Sequence, residues 1–159
     1  MIQGLSFFRE LSLVSAIVRI LLAAVIGIII GRERRLRGRP AGARTYAIVC
    51  IGSCLAMMTD MYLALETDYA DAARIGAQVI SGIGFLGAGT ILVKSDNRIQ
   101  GLTTAASLWA SACLGLACGA GFVEGAIFGF ITIIVVTWVL PKFENSDQSS
   151  DNNSEQNTD

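Results

Sequence analysis

The chain has 159 residues, 53% of them hydrophobic, with 12 Lys and Arg against 13 Asp and Glu and no histidine. A soluble domain of this length would show its apolar residues as stripes of period 2 or 3.6, whereas here they fill runs long enough to cross about 30 Å of hydrocarbon, which takes roughly 20 residues. An ordinary soluble domain is thus excluded, and the missing histidine removes a histidine-ligated metal hydrolase and a histidine proton relay.

Apolar runs fall at 11–31, 43–65, 72–93, 102–119 and 121–140, broken by charge or glycine. The expected fold is all-α, a polytopic membrane bundle of about five transmembrane helices. A backbone in lipid must satisfy its own hydrogen bonds, and the strand-like alternation of a closed barrel is absent. Only Gly119, Ala120, Gly121 and the following Glu124 divide the last two runs, so four spans with a re-entrant or broken segment stay open.

The N-terminus has neither the basic start nor the small-residue cleavage site of a signal peptide, so the first run is read as a retained helix. Arg19 lies about 12 Å into it at 1.5 Å per residue. An unpaired charge there costs from about 2.5 to more than 10 kcal/mol, so it should face the bundle interior. Ser15, Arg19, Ala23, Gly27 and Gly31 recur every four residues, placing the arginine on a stripe of small residues that lets helices approach. Asp60, about 7.5 Å from the outer end of the second run, is its candidate partner. The alternative is that Arg19 snorkels outward and Asp60 sits among headgroups.

Between the first two runs stand Arg32, Arg34, Arg35, Arg37, Arg39 and Arg44; Lys94, Arg98 and Lys142 share their side in a five-span chain, against Arg9 and Arg74 opposite. The excess of basic residues places the N-terminus outside and the C-terminus in the cytoplasm. The arginine loop also attracts anionic lipid, at about 1 kcal/mol per residue. Residues 1–142 form the expected bundle. Residues 143–159, which after Phe143 hold only Asn, Ser, Gln, Thr, Asp and Glu, form an expected disordered polar cytoplasmic tail.

Before the third run, Glu66, Asp68 and Asp71 gather within six residues, and Arg74 and Gln78 follow at one-turn spacing. Asp68 and Asp71 form a candidate weak Mg²⁺ site, since that ion is held by one or two carboxylates and several waters; the bland reading is a solvated acidic loop. Gln78 inside the run seeks an interhelical partner and could line a polar interior with Arg74. Gly82, Gly84 and Gly87 satisfy the dinucleotide-binding spacing, but no strand precedes them and no acidic residue stands about 20 positions on. With Gly89 and Gly101 they read as a helix contact surface or as the break in a discontinuous helix.

In the fourth and fifth runs Gly115, Gly119, Gly121, Gly125 and Gly129 continue the small-residue spacing of tight packing, and Thr103 and Thr104 are expected to begin the fourth helix as capping or back-bonding hydroxyls. Cys50, Cys54, Cys113 and Cys118 lack zinc-type spacing and read as small packing residues. No base stands near a Ser or Thr nucleophile, so no catalytic group is identified.

The stretches GRERRLRGRPAGARTYAIVCIGS, ARIGAQVISGIGFLGAGTIL and IQGLTTAASLWASACLGLACGAG resemble the three signature blocks of the MgtC/SapB family of bacterial inner-membrane proteins, in that order, over about 12–140. Glu33 and Arg44 match these blocks and can pair at the cytoplasmic edge of the first two spans. The chain departs from the family at Asp71, Ala72, Ala73 and Arg74, where a proline is usual, and it stops short of the soluble C-terminal domain of many members. The resemblance implies roles in magnesium limitation, membrane energetics and, in some members, survival within hosts.

Three function classes follow: a non-enzymatic regulatory membrane protein packing against another membrane component, a transporter or channel for Mg²⁺ or another ion, and, least supported, an enzyme. Expected partners are the lipid bilayer, another membrane protein and a possible second copy, with no nucleic acid. No cofactor is expected beyond a possible Mg²⁺.

Overall fold

The structure is a computed structural model that describes residues 12–66, 74–93 and 99–155, excepting the side chains of 92, 93 and 141–155. Among the described residues it is all-helical apart from one pair of two-residue strands. Five helices occur among the described residues: α1 (Leu13–Leu36), α2 (Ala43–Glu66), α3 (Arg74–Ala88), α4 (Leu102–Gly119) and α5 (Val123–Glu155). The chain divides into two units, 1–126 and 127–159.

In the first unit, the Ser12 side chain caps α1 by accepting from the Ser15 amide at 3.2 Å. The helix ends where Gly38 takes φ +69. α1 and α2 run antiparallel with their backbones in contact: a Cβ on Gly27 would stand 2.6 Å from Ala47 Cα, and one on Gly31 2.5 Å from Ala43 Cα. α2 and α4 run parallel. Gly115 lies on Cys50 and Ser53, and Gly119 on Cys54 and Met57. In lipid no solvent drives helices together, so such direct backbone approach supplies the dispersion contact that does. Ser15, Arg19, Ala23, Gly27 and Gly31 are all buried, as the four-residue stripe predicts.

Four helices among the described residues are long and apolar enough to cross a membrane: α1, α2, α4 and the Val123–Leu140 part of α5. α3, described from Arg74 onward, is the fifth helix of the expected bundle but is not one of these four. Its 15 residues reach about 22 Å, short of the roughly 30 Å core. The anticipated run 72–93 divides at its end: Gly89 and Thr90 turn the chain, with the Thr90 hydroxyl donating to Gly87 O at 2.8 Å. Strands β1 (Leu92–Val93) and β2 (Ile99–Gln100) follow, pairing antiparallel with Leu92 opposite Gln100. The helix is continuous through Gly82, Gly84 and Gly87, and Gly89, also among the expected packing or break positions, lies in the turn that ends it.

Gly101 begins α4 in the left-handed region at φ 98, and a Cβ there would collide with the Thr90 carbonyl oxygen. Only glycine closes this return. Thr103 and Thr104 lie inside the first turn of α4, and no side chain caps it. Between α4 and α5 the chain turns at Gly121, φ 74.

In the second unit α5 extends to Glu155. The segment expected as a polar tail, 143–159, has no described side chains, and its last four residues lie outside the described residues altogether.

Candidate functional site

Three charged side chains are buried among the described residues, Arg19, Arg34 and Asp60; Arg19 and Asp60 lie near the end of the first unit where α1 and α3 begin and α2 and α4 finish. Arg19 is 0% exposed and Asp60 3%. By helix rise each sits about 9 Å along its helix from that end.

Each is held by the backbone terminus of another helix. Arg19 Nη1 donates to the Gly119 carbonyl at 2.7 Å, taking one of the orphan acceptors at the C-terminus of α4. Asp60 Oδ2 accepts from the Ile75 and Gly76 amides at 2.9 and 3.1 Å, taking orphan donors at the N-terminus of α3. The polarities agree with the helix dipoles: the cation faces the partly negative end and the anion the partly positive one. Charge-assisted bonds of this kind are roughly twice as strong as neutral ones. The Arg19 to Asp60 ion pair expected from depth alone is therefore replaced by two charge-to-backbone contacts. Gly119 makes the first contact possible, since a Cβ there would run into the Cys54 carbonyl oxygen and Met57, whereas a Cβ on Gly76 would meet Met57, Leu116 and Asp60 only at ordinary contact distances.

A second polar cluster lies at the opposite end of α1. Arg34, only 3% exposed, donates from Nε to Glu33 Oε2 at 2.5 Å, and Glu33 also pairs with Arg37 one turn on. Glu33 thus finds its partners on its own helix, and Arg44, expected to reach it from α2, is exposed. The hydroxyl of the fully buried Tyr46 lies towards Ser107 on α4 and within electrostatic range of Glu33 and Arg34. It makes no hydrogen bond, and the Ser107 hydroxyl donates to Thr103 O at 2.6 Å. The Thr104 hydroxyl and Arg34 Nη2 are likewise buried without a hydrogen bond. Sequence reading missed this cluster. The available signal was that Arg34 extends the buried stripe of α1 by one three-residue step beyond Gly31.

The remaining sequence candidates separate. Asp68 and Asp71 lie outside the described residues. Arg74 and Gln78 are exposed on α3 and do not line an interior. A Cβ on Gly87 would lie 3.5 Å from Ala105 Cβ on α4, while one on Gly82 or Gly84 would have nothing within 4 Å and one on Gly89 would meet only its own turn. Cys50, Cys54 and Cys118 are buried small residues, the Cys50 thiol donating to Ser111 O at 3.1 Å. Among the described residues no group of three or more His, Cys, Asp or Glu is placed to hold a metal ion.

The MgtC family model matches residues 20–146. The chain is 46% identical over 129 residues to a protein of Haemophilus influenzae, covering 77% of this chain and 54% of that one. It is 43% identical over 129 residues to an Escherichia coli K12 protein named "Putative magnesium transporter YhiD", covering 78% and 60%. Over 124 residues it is 41% identical to Protein MgtC of Salmonella typhimurium, covering 78% and 52%. The chain thus spans a little over half the length of these relatives. No solved structure matches it.

Proposed function

Since the chain belongs to the MgtC family, we propose that it is a non-enzymatic protein of a bacterial inner membrane, with a regulatory role linked to magnesium limitation and membrane energetics. It acts by packing within the bilayer against another membrane component. The observation that supports this most is the fate of the buried charges. A transport pathway needs polar groups available to an ion in transit, whereas Arg19 and Asp60 are engaged with the ends of α4 and α3. In this reading they fix the relative heights of helices and present a defined surface to a partner.

Orientation follows from charge. The loop between α1 and α2 carries Arg37 and Arg39, with Arg32, Arg34, Arg35 and Arg44 in the adjoining turns. The preference for basic residues on the cytoplasmic side puts this end in the cytoplasm and the Arg19–Asp60 end outside.

Transport of Mg²⁺ or another ion is the second reading. The name of the E. coli relative and the exposed Arg74 and Gln78 on a helix too short to span favour it, since short or interrupted helices line substrate sites in transporters. Sealed liposomes holding the purified protein and an internal Mg²⁺-sensitive dye decide between the two. A trace no faster than protein-free vesicles, with a membrane protein recovered by pull-down from native membranes, is the expected result. A specific dye response abolished by Gln78→Leu replaces regulation with transport.

A further inference from the structure

α3 turns one face towards the bundle through Gly76, Ile83 and Gly87. Its other face carries Gln78, Ser81, Gly82 and Phe85, all exposed, Phe85 to 84%. Exposed apolar groups on a membrane helix need no explanation, since lipid covers them. Gln78 does. Its amide makes no hydrogen bond among the described residues, although the Ser81 hydroxyl one turn away is satisfied by Ala77 O at 3.3 Å.

Depth makes this informative. α2 is 24 residues long, about 36 Å, so only a few ångströms at each end lie outside a core of about 30 Å. Asp60 sits about 9 Å below the end of α2 and receives the first amides of α3, which puts Gln78 about 13 Å below that end and well inside hydrocarbon. A primary amide has donors and acceptor together, and lipid tails supply neither.

We propose that the outer face of α3 is the interface with a second copy of this chain, related by a two-fold axis along the membrane normal, with Gln78 facing Gln78 of the other copy. Two features fit that occupant. An amide is its own complement, donating and accepting across the axis in the self-matching way a two-fold contact requires. Phe85 stands beside Gly82 and Gly84, which have open space around them, so the face offers a knob and a hollow that can interlock with a copy of itself. The proposal concerns self-association and goes beyond the regulatory reading.

Cysteine cross-linking in native membranes tests it. Gln78→Cys and Phe85→Cys are oxidised beside unaltered protein, whose own cysteines set the background, and beside Ile48→Cys, 70% exposed on α2. The expected result is a band of twice the monomer mass for the two α3 variants and none for Ile48→Cys; if Gln78→Cys fails to fold, Phe85→Cys reads the same face. Monomer only, equal cross-linking at Ile48→Cys, or an adduct to a different protein overturns the proposal. Dissociation in bilayers gives a second measure: Gln78→Leu weakens association about tenfold and Gln78→Asn much less, while equal affinities for all three contradict the amide contact. A monomeric outcome leaves the liposome and pull-down results for the regulatory reading untouched.

Discussion

Replacing Gly115 or Gly119 by alanine sets two known effects against each other. Alanine in a helix interior is more favourable than glycine by about 1 kcal/mol, and where space is open that gain is realised. At Gly115 the added Cβ would run into the Cys50 carbonyl oxygen and stand 2.8 Å from Ser53 Cβ; at Gly119 it would meet the Cys54 carbonyl and stand 2.8 Å from Met57 Cβ. Carbon atoms rest at about 3.5–4 Å, so α2 and α4 must separate by about 1 Å. Overpacking of this kind costs about 1–3 kcal/mol. Gly115→Ala should therefore be destabilising by about 1–2 kcal/mol net. Gly119→Ala should cost about 1 kcal/mol more, because it moves the carbonyl that accepts from Arg19 and loosens a charged hydrogen bond. Gly52, also helical but with nothing within 4 Å, is the control, and Gly52→Ala should raise stability by about 0.5–1 kcal/mol. Unfolding in mixed micelles followed by helical circular dichroism reads all three. Equal gains at 52, 115 and 119 refute the direct α2–α4 backbone contact.

Gly101→Ala should abolish recovery of folded protein, measured as monodisperse yield in mild detergent, because the residue holds φ 98 and its Cβ would collide with Thr90; wild-type yield contradicts the turn described. Tyr46→Phe should leave stability unchanged or raise it by about 1 kcal/mol, since it removes a buried hydroxyl that lacks a hydrogen bond. A loss of more than about 1 kcal/mol in the same unfolding assay would mean that the hydroxyl is bonded after all.

Much of the bundle was legible because lipid enforces simple rules. Long apolar runs give helices, and the four-residue recurrence of Ser15, Arg19, Ala23, Gly27 and Gly31 gives the buried face of α1. The end of α3 was not legible: hydropathy runs on through Gly89, Thr90 and Ile91, while the backbone turns there, with the Thr90 amide and hydroxyl both donating to Gly87 O. Hydropathy measures what lipid tolerates and says nothing about where a helix is capped.

The partners of Arg19 and Asp60 were hidden for a related reason. Matching side chains by depth finds other side chains, whereas the groups that hold these two are main-chain atoms whose availability depends on where α3 begins and α4 ends. Gln78 shows the converse. Its polarity was legible as unusual, but the sequence could not say that it faces away from its own bundle, because α3 buries the face of Gly76, Ile83 and Gly87 instead.

The central claim is that buried charges here secure helix ends, and amide hydrogen exchange at Ile75 and Gly76 tests it most directly. In the unaltered protein both amides should exchange slowly, protected by Asp60. In Asp60→Ala they should exchange as fast as free helix-terminal amides, while those deeper in α3 keep their protection. Unchanged slow exchange at Ile75 and Gly76 in the variant would contradict the account, since something other than the Asp60 carboxylate would then be holding α3.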